Sequence, residues 1–164
     1  SYFKYSLEAK GEYYMLINGD NVEPSITIKK IINEKGKADI IIPYFGTEDR
    51  RTLIRKFISH LFTFVINFIS FNSIKYYNGP VLHKTKNVRL YRSKTYGYGY
   101  QAELITTLLM SDKSYLQVQV INTDRQWGTS KAFSISNILS ILNTILSIFI
   151  NRIANLANIL TARK

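Results

Sequence analysis

The chain has 164 residues, 46% of them hydrophobic, with 22 Lys and Arg against 11 Asp and Glu and a formal net charge of +11. That length suits one compact domain with a real core, and the apolar content excludes a disordered tail. The charge excess favours polyanions, either nucleic acid or an anionic membrane surface. With no cysteine, disulfides, thiolate metal sites and thiol catalysis are excluded.

Ser1-Tyr2-Phe3-Lys4-Tyr5 lacks the apolar core of a signal peptide, so an intracellular setting is expected: host cytoplasm, nucleoid or organelle. The abundance of Ile, Asn, Lys and Tyr points to an AT-rich genome. Glu12 to Ile17 predicts a strand closed by the tight-turn signal Asn18-Gly19-Asp20-Asn21. The β-branched run Ser25 to Asn33 predicts its partner strand, Glu34 to Lys37 a turn, and Ala38 to Tyr44 a third, Ile-rich strand. Connections this short predict an antiparallel meander.

Thr47 reads as a helix N-cap, with Glu48 and Asp49 placing negative charge on the first turn. Leu53, Phe57, Leu61, Phe64 and Phe68 give that helix an apolar face, and it is expected to run to Asn72. Tyr76 to Pro80 breaks the chain. Asn87 to Ser93 and Tyr98 to Met110 predict strands, and Ser111-Asp112-Lys113 a turn. Tyr115 to Ile121 alternates, with Leu116, Val118 and Val120 inward and Gln117 and Gln119 outward. A polar turn from Asn122 to Gly128 carries Trp127. A short strand is expected at Ala132 to Ile135, with Ser136 as the N-cap of a last helix.

That helix repeats Ile138, Leu142, Ile145, Phe149, Ile153, Leu156 and Leu160 opposite Asn137, Ser140, Thr144, Ser147, Asn151, Asn155 and Asn158. A neutral Ser/Asn face beside an Ile/Leu seam suits helix packing within the fold or between subunits. Its Ser, Thr and Asn residues argue against membrane insertion, so none is expected, and a homo-oligomer through the C-terminal helix is. The expected class is α+β: one domain, 1–164, of two pseudo-repeats (1–72 and 73–164), each an antiparallel meander followed by a long helix.

Ser114-Tyr-Leu-Gln-Val-Gln-Val-Ile-Asn122, a polar turn, Ala132-Phe-Ser-Ile-Ser136 and the Ile/Leu helix follow an order that resembles the Whirly family of single-stranded-DNA-binding proteins. PC4-type coactivators, PUR repeats and kinetoplastid guide-RNA-binding proteins share that plan. Lys35-Gly36-Lys37-Ala38-Asp39-Ile40 is similar to the family's Lys-Gly-Lys-Ala-Ala-Leu motif, but Asp39 departs from it and no role is transferred. The resemblance implies the fold, single-strand binding and tetramer assembly through the helices.

From Arg50 to Gln101 there is no Asp or Glu. Within that interval Lys84, Lys86, Arg89, Arg92 and Lys94 are candidates to neutralise phosphates. Tyr91, Tyr96, Tyr98 and Tyr100 interleave with them as candidates to stack on bases, the combination a single strand requires. The alternative for the tyrosines is to cover a sheet face. Lys29 and Lys30, with Lys35 and Lys37, are the equivalent candidates in the first half, or a solvated hairpin. The expected function is single-stranded nucleic-acid binding of low sequence specificity, DNA before RNA. A structural or assembly protein, as of a phage particle, is the alternative; a membrane-surface protein is a third reading, against which the helices argue, because the longest apolar helix lacks the Lys/Arg-flanked polar face such binders use. His60 and His83 lack matched carboxylates, so no catalysis, metal or cofactor is expected.

Overall fold

The computed structural model describes residues 2–17, 23–47, 49–91, 99–122 and 135–162. In chain order the elements are α1 (Tyr2–Glu8), β1 (Tyr13–Met15), α2 (Ser25–Asn33), β2 (Ile40–Phe45), α3 (Leu53–Ser70), β3 (Leu82–Lys84), α4 (Thr85–Leu90), α5 (Tyr100–Met110), β4 (Tyr115–Val120) and α6 (Ile135–Ala162). This is an α+β chain. Among the described residues one four-stranded sheet runs β1-β3-β2-β4. β3 is antiparallel to both β1 and β2, and β2 is parallel to β4 from Ile40↔Tyr115 to Phe45↔Val120. β1, β2 and β4 therefore share one direction, so their carboxyl ends lie on one edge of the sheet.

Ile40, Ile41 and Ile42 are each fully buried, which requires β2 to be covered on both faces. Ile40 and Ile42 join Ile66 of α3, Val88 of α4, Leu104, Ile105 and Leu108 of α5, and Ile148 of α6. Successive strand residues point to opposite faces, so Ile41 meets the other layer: Ile31 of α2 with Leu82, Val118 and Val120. Tyr77, also fully buried, sits in the first cluster and donates its hydroxyl to Asn67 Oδ1 at 2.8 Å.

Three expected strands are helices instead. Ser25 to Asn33 is α2, with Thr27 and Ile31 buried four residues apart on one face; tertiary burial of that stripe overrides β-branched propensity. Asn87 falls within α4, whose Asn87 and Val88 are buried. Tyr100 to Met110 is α5, buried continuously from Gln101 to Thr106 and at Leu108, as a helix covered on nearly every side must be. With α2 as a crossover, β1 and β2 are parallel and flank β3, so the expected meander is replaced by a mixed sheet. Strands from 1–72 and 73–164 alternate across it.

The strands around Glu12 to Ile17, Ala38 to Tyr44 and Tyr115 to Ile121 stand where expected, and so do both long helices. α3 starts at Leu53 rather than near Thr47, with Thr52 at its N-cap, and closes at Ser70 on Phe71, whose φ of 56° is left-handed. Ile135 belongs to α6 rather than to a strand, and Ser136 lies inside that helix. Ala132 to Ser134 and the turn bearing Trp127 lie outside the described residues.

Candidate functional site

The carboxyl edge of the sheet gathers polar groups from separate parts of the chain. β2 leads into Asp49 and Arg51, β4 leads into Asn122, and Tyr76 comes from the segment between α3 and β3. Arg51 donates to Asp49 through its backbone N–H (3.1 Å to Oδ1), through Nε (3.0 and 3.1 Å) and through Nη2 (2.7 Å to Oδ2). Its Nη1 donates to the Tyr76 hydroxyl at 3.1 Å. The guanidinium also lies 5.0 Å from the Phe45 ring and 5.1 Å from the Tyr76 ring, within cation–π range. Asn122, buried, accepts from the Arg50 N–H at 3.3 Å and donates to Asp49 Oδ1 at 3.4 Å.

These contacts determine the charge state of the cluster. Burial pushes the Asp49 carboxyl up, and the hydrogen bonds from the Arg51 side chain and backbone more than offset that, leaving it below the ordinary carboxylate range. Burial raises the Tyr76 phenol, with Arg51 opposing, so Tyr76 stays a neutral hydroxyl. Around them Phe45, Asp49, Arg51, Ser59, His60, Thr63, Lys75 and Tyr76 line a small open cleft beside α3, with room for about 20 Å³. Lys75, exposed, holds its ammonium 4.1 Å over the Tyr44 ring, and Gln117 of β4 fixes its backbone N–H at 2.7 Å. His60, exposed, has Nδ1 2.7 Å from the Lys56 carbonyl. The cleft thus offers hydroxyls, an imidazole and an ammonium beside a fixed carboxylate–guanidinium pair.

The residues singled out in the sequence are placed elsewhere. Lys84 ends β3 at the opposite edge and pairs with Asp39 at 3.1 Å. Burial raises Asp39, and hydrogen bonds from Ser114 and Lys84 outweigh it, so that carboxyl is held well below its ordinary range. Lys86 is exposed on α4. Arg89 turns back onto α1, donating to Ser6 O at 2.9 Å and also to the carbonyls of Leu7 and Ala9; it satisfies the open end of that helix.

Tyr91 packs on Phe3 at 5.4 Å between centroids, and Tyr100 packs on Tyr2 and Phe3 at 5.1 and 6.0 Å. Burial, with Tyr14 adding to it, pushes the Tyr100 phenol up to about 12. Both rings belong to an aromatic cluster that seats α1, not to an open strand face. Lys29 and Lys30 are exposed on α2, across the sheet from α4. Arg92, Lys94, Tyr96 and Tyr98 lie outside the described residues.

The structure therefore keeps Lys84, Lys86 and Arg89 close along β3 and α4, separates Lys29 and Lys30 from them, and uses Tyr91 and Tyr100 for packing. The Asp49–Arg51–Tyr76–Asn122 group carries no local signature: Asp49 reads as helix-start charge and Asn122 as a turn residue until β2 and β4 pair. The uninterrupted Ile40-Ile41-Ile42 run is the one signal pointing to it, because two-sided burial implies a parallel neighbour. No protein-family model and no curated protein matches the chain.

Proposed function

We propose that the chain is a binding module for a phosphate group of a larger ligand, such as a nucleotide, held at the small cleft beyond the carboxyl end of β2. The observation that supports it is the convergence of parallel strand ends on one polar cleft lined by Arg51, Lys75, His60 and Tyr76. In open parallel sheets, ligands sit outside the carboxyl ends of the strands, and β2 with β4 forms one such parallel pair here. The net charge of +11 raises the local concentration of anions. Lys75 and His60 are exposed and available to an oxyanion, while Arg51, its charge balanced by Asp49, holds the Tyr76 hydroxyl in place.

Calorimetric titration with inorganic phosphate, a nucleoside diphosphate and a dT oligomer tests this. Saturable diphosphate binding, weakened by Lys75→Ala and His60→Ala, is expected; no saturable binding of either small ligand sinks the reading.

Single-strand binding is the second reading, favoured by the exposed Lys29, Lys30 and Lys86. Stacking then rests on Tyr96 and Tyr98, since Tyr91 and Tyr100 pack on α1. The dT arm decides it: the oligomer must bind more tightly than the diphosphate, with a log-log salt slope of about −0.7 per phosphate neutralised.

A further inference from the structure

α3 and α6 place Ile66, Phe62 and Ile69, and Ile148 and Ile145, against the core, yet are apolar on their outer sides as well. On α3 the side turned to the sheet is Thr63, Ile66 and Ser70, all buried, with Asn67 bonded to Ile74 and Tyr77. Its outer side is Phe57, Leu61, Phe64 and Phe68, and Phe57 and Phe68 are 68% and 71% exposed. On α6 the fully buried Thr144 and the half-buried Ser140 and Ser147 face inward, while Leu139, Leu142, Leu146 and Ile153 are each more than half exposed. The outer residues recur at three- and four-residue steps, so each helix presents one continuous apolar stripe. The two helices pack against each other, and the Arg152 guanidinium of α6 lies 5.1 Å from the Phe71 ring at the end of α3. The stripes therefore form one surface, far larger than the scattered apolar residues a water-facing domain tolerates.

We infer that this surface lays the domain flat on an anionic lipid membrane. Helices whose inner sides fill the core and whose outer sides are also apolar fit a surrounding solvent that is itself apolar. Both helices are long and apolar enough to cross a bilayer, but Ile66 and Ile148 sit in the sheet core, and Ser147 donates to the buried Glu103 of α5 at 2.7 Å. Spanning would strip those inner faces from the domain, whereas lying in the interface buries the outer stripes by roughly 5–10 Å and keeps the inner contacts.

Charge selects the occupant. Neither helix carries Asp or Glu. Arg50, Arg55 and Lys56 stand at the start of α3, and Arg152 near its other end. Of these, Arg50 is exposed, Lys56 flanks the first turn of α3 and Arg152 reaches the Phe71 ring at its far end. Cations thus lie beside both ends of the apolar surface, near the level of lipid phosphates. A second copy would instead bring together two chains of +11 each, a repulsion an anionic bilayer converts to attraction. The surface stands independently of the cleft, and its test uses no small ligand.

Vesicle flotation of the full chain tests the inference, with phosphatidylcholine vesicles against vesicles containing phosphatidylglycerol. The chain is expected to float with the anionic vesicles and to bind neutral ones more weakly. Phe64→Ser with Phe68→Ser, and separately Leu142→Ser with Leu146→Ser, should each weaken binding by roughly tenfold or more. Because these side chains point outward, circular dichroism should be unchanged. Lys56→Ala should narrow the preference for anionic vesicles. If the unaltered chain stays with neither vesicle, the inference is overturned. A soluble oligomer that ignores vesicles and dissociates on the same substitutions overturns it too, and assigns the surface to a second copy.

Discussion

Ser147 on α6 donates its hydroxyl to Glu103 on α5 across 2.7 Å, and Glu103 is 1% exposed. A buried acceptor that loses a donor retains its desolvation cost, so Ser147→Ala should cost about 1–3 kcal/mol of stability. Urea unfolding of the full chain measures it. Ser147→Thr, which keeps a hydroxyl, should recover part of the loss; equal losses in both variants would mean the bond contributes nothing net.

Gly99, one turn before Glu103, is the second point where α6 seats. A Cβ there would come within 1.9 Å of Thr144 Oγ1 and 2.5 Å of its Cβ. The obstacle includes the root of a side chain on a packed helix, which cannot swing aside. Gly99→Ala should therefore destabilise by about 1–3 kcal/mol, the usual range for overpacking. Adding Thr144→Gly should return part of it, because both clashing groups leave together. A Gly99→Ala variant as stable as the unaltered chain would show that α6 shifts without cost.

His83 is 1% exposed in β3, with no hydrogen-bond partner for Nδ1. Burial depresses its pKa from 6.5 to about 3. The imidazole stays neutral in the fold, while the unfolded chain takes up a proton below 6.5. Stability should thus fall as pH drops from 6.5 towards 3, by about 1.4 kcal/mol per pH unit once the unfolded histidine is protonated. Asp39 has the opposite chemistry and the same direction: its depressed carboxyl contributes stability above its ordinary pKa of 3.8 that is lost on further acidification. Urea midpoints between pH 7 and pH 4 separate the two, since His83→Leu should flatten that interval and leave the steeper loss below it.

What the sequence made legible depended on the range of the interaction. The Tyr115 to Ile121 alternation and the Leu53 to Phe68 stripe are local patterns, and both elements formed. Ser25 to Asn33 was misread as strand because β-branched content is a weak preference, overridden once Thr27 and Ile31 found a face of the sheet to cover. Tyr98 to Met110 was misread because a helix buried nearly all round leaves no periodicity to see. The Ile/Leu seam of α6 was legible, but not how it divides: Ile145 packs on the core while Leu142 and Ile153 stay exposed. Asp49, Arg51, Tyr76 and Asn122 meet only after β2 pairs with β4, a register that no local window contains.

Arg89 separates a structural cation from a binding one. Its guanidinium reaches Ser6, Leu7 and Ala9 carbonyls at the end of α1, and Phe3 of that helix packs on Tyr91 and Tyr100. Arg89→Ala should free α1 to early proteolysis and lower stability by about 1–2 kcal/mol, the scale of a lost helix cap or charged hydrogen bond. Arg89→Lys should rescue little, because one ammonium cannot serve three carbonyls in fork geometry. Should the chain bind oligonucleotides, Arg89→Ala would leave the salt slope unchanged while Lys86→Ala, on an exposed position, reduces it. A reduced slope for Arg89→Ala in the still-folded protein would show that the guanidinium leaves α1 to meet phosphate.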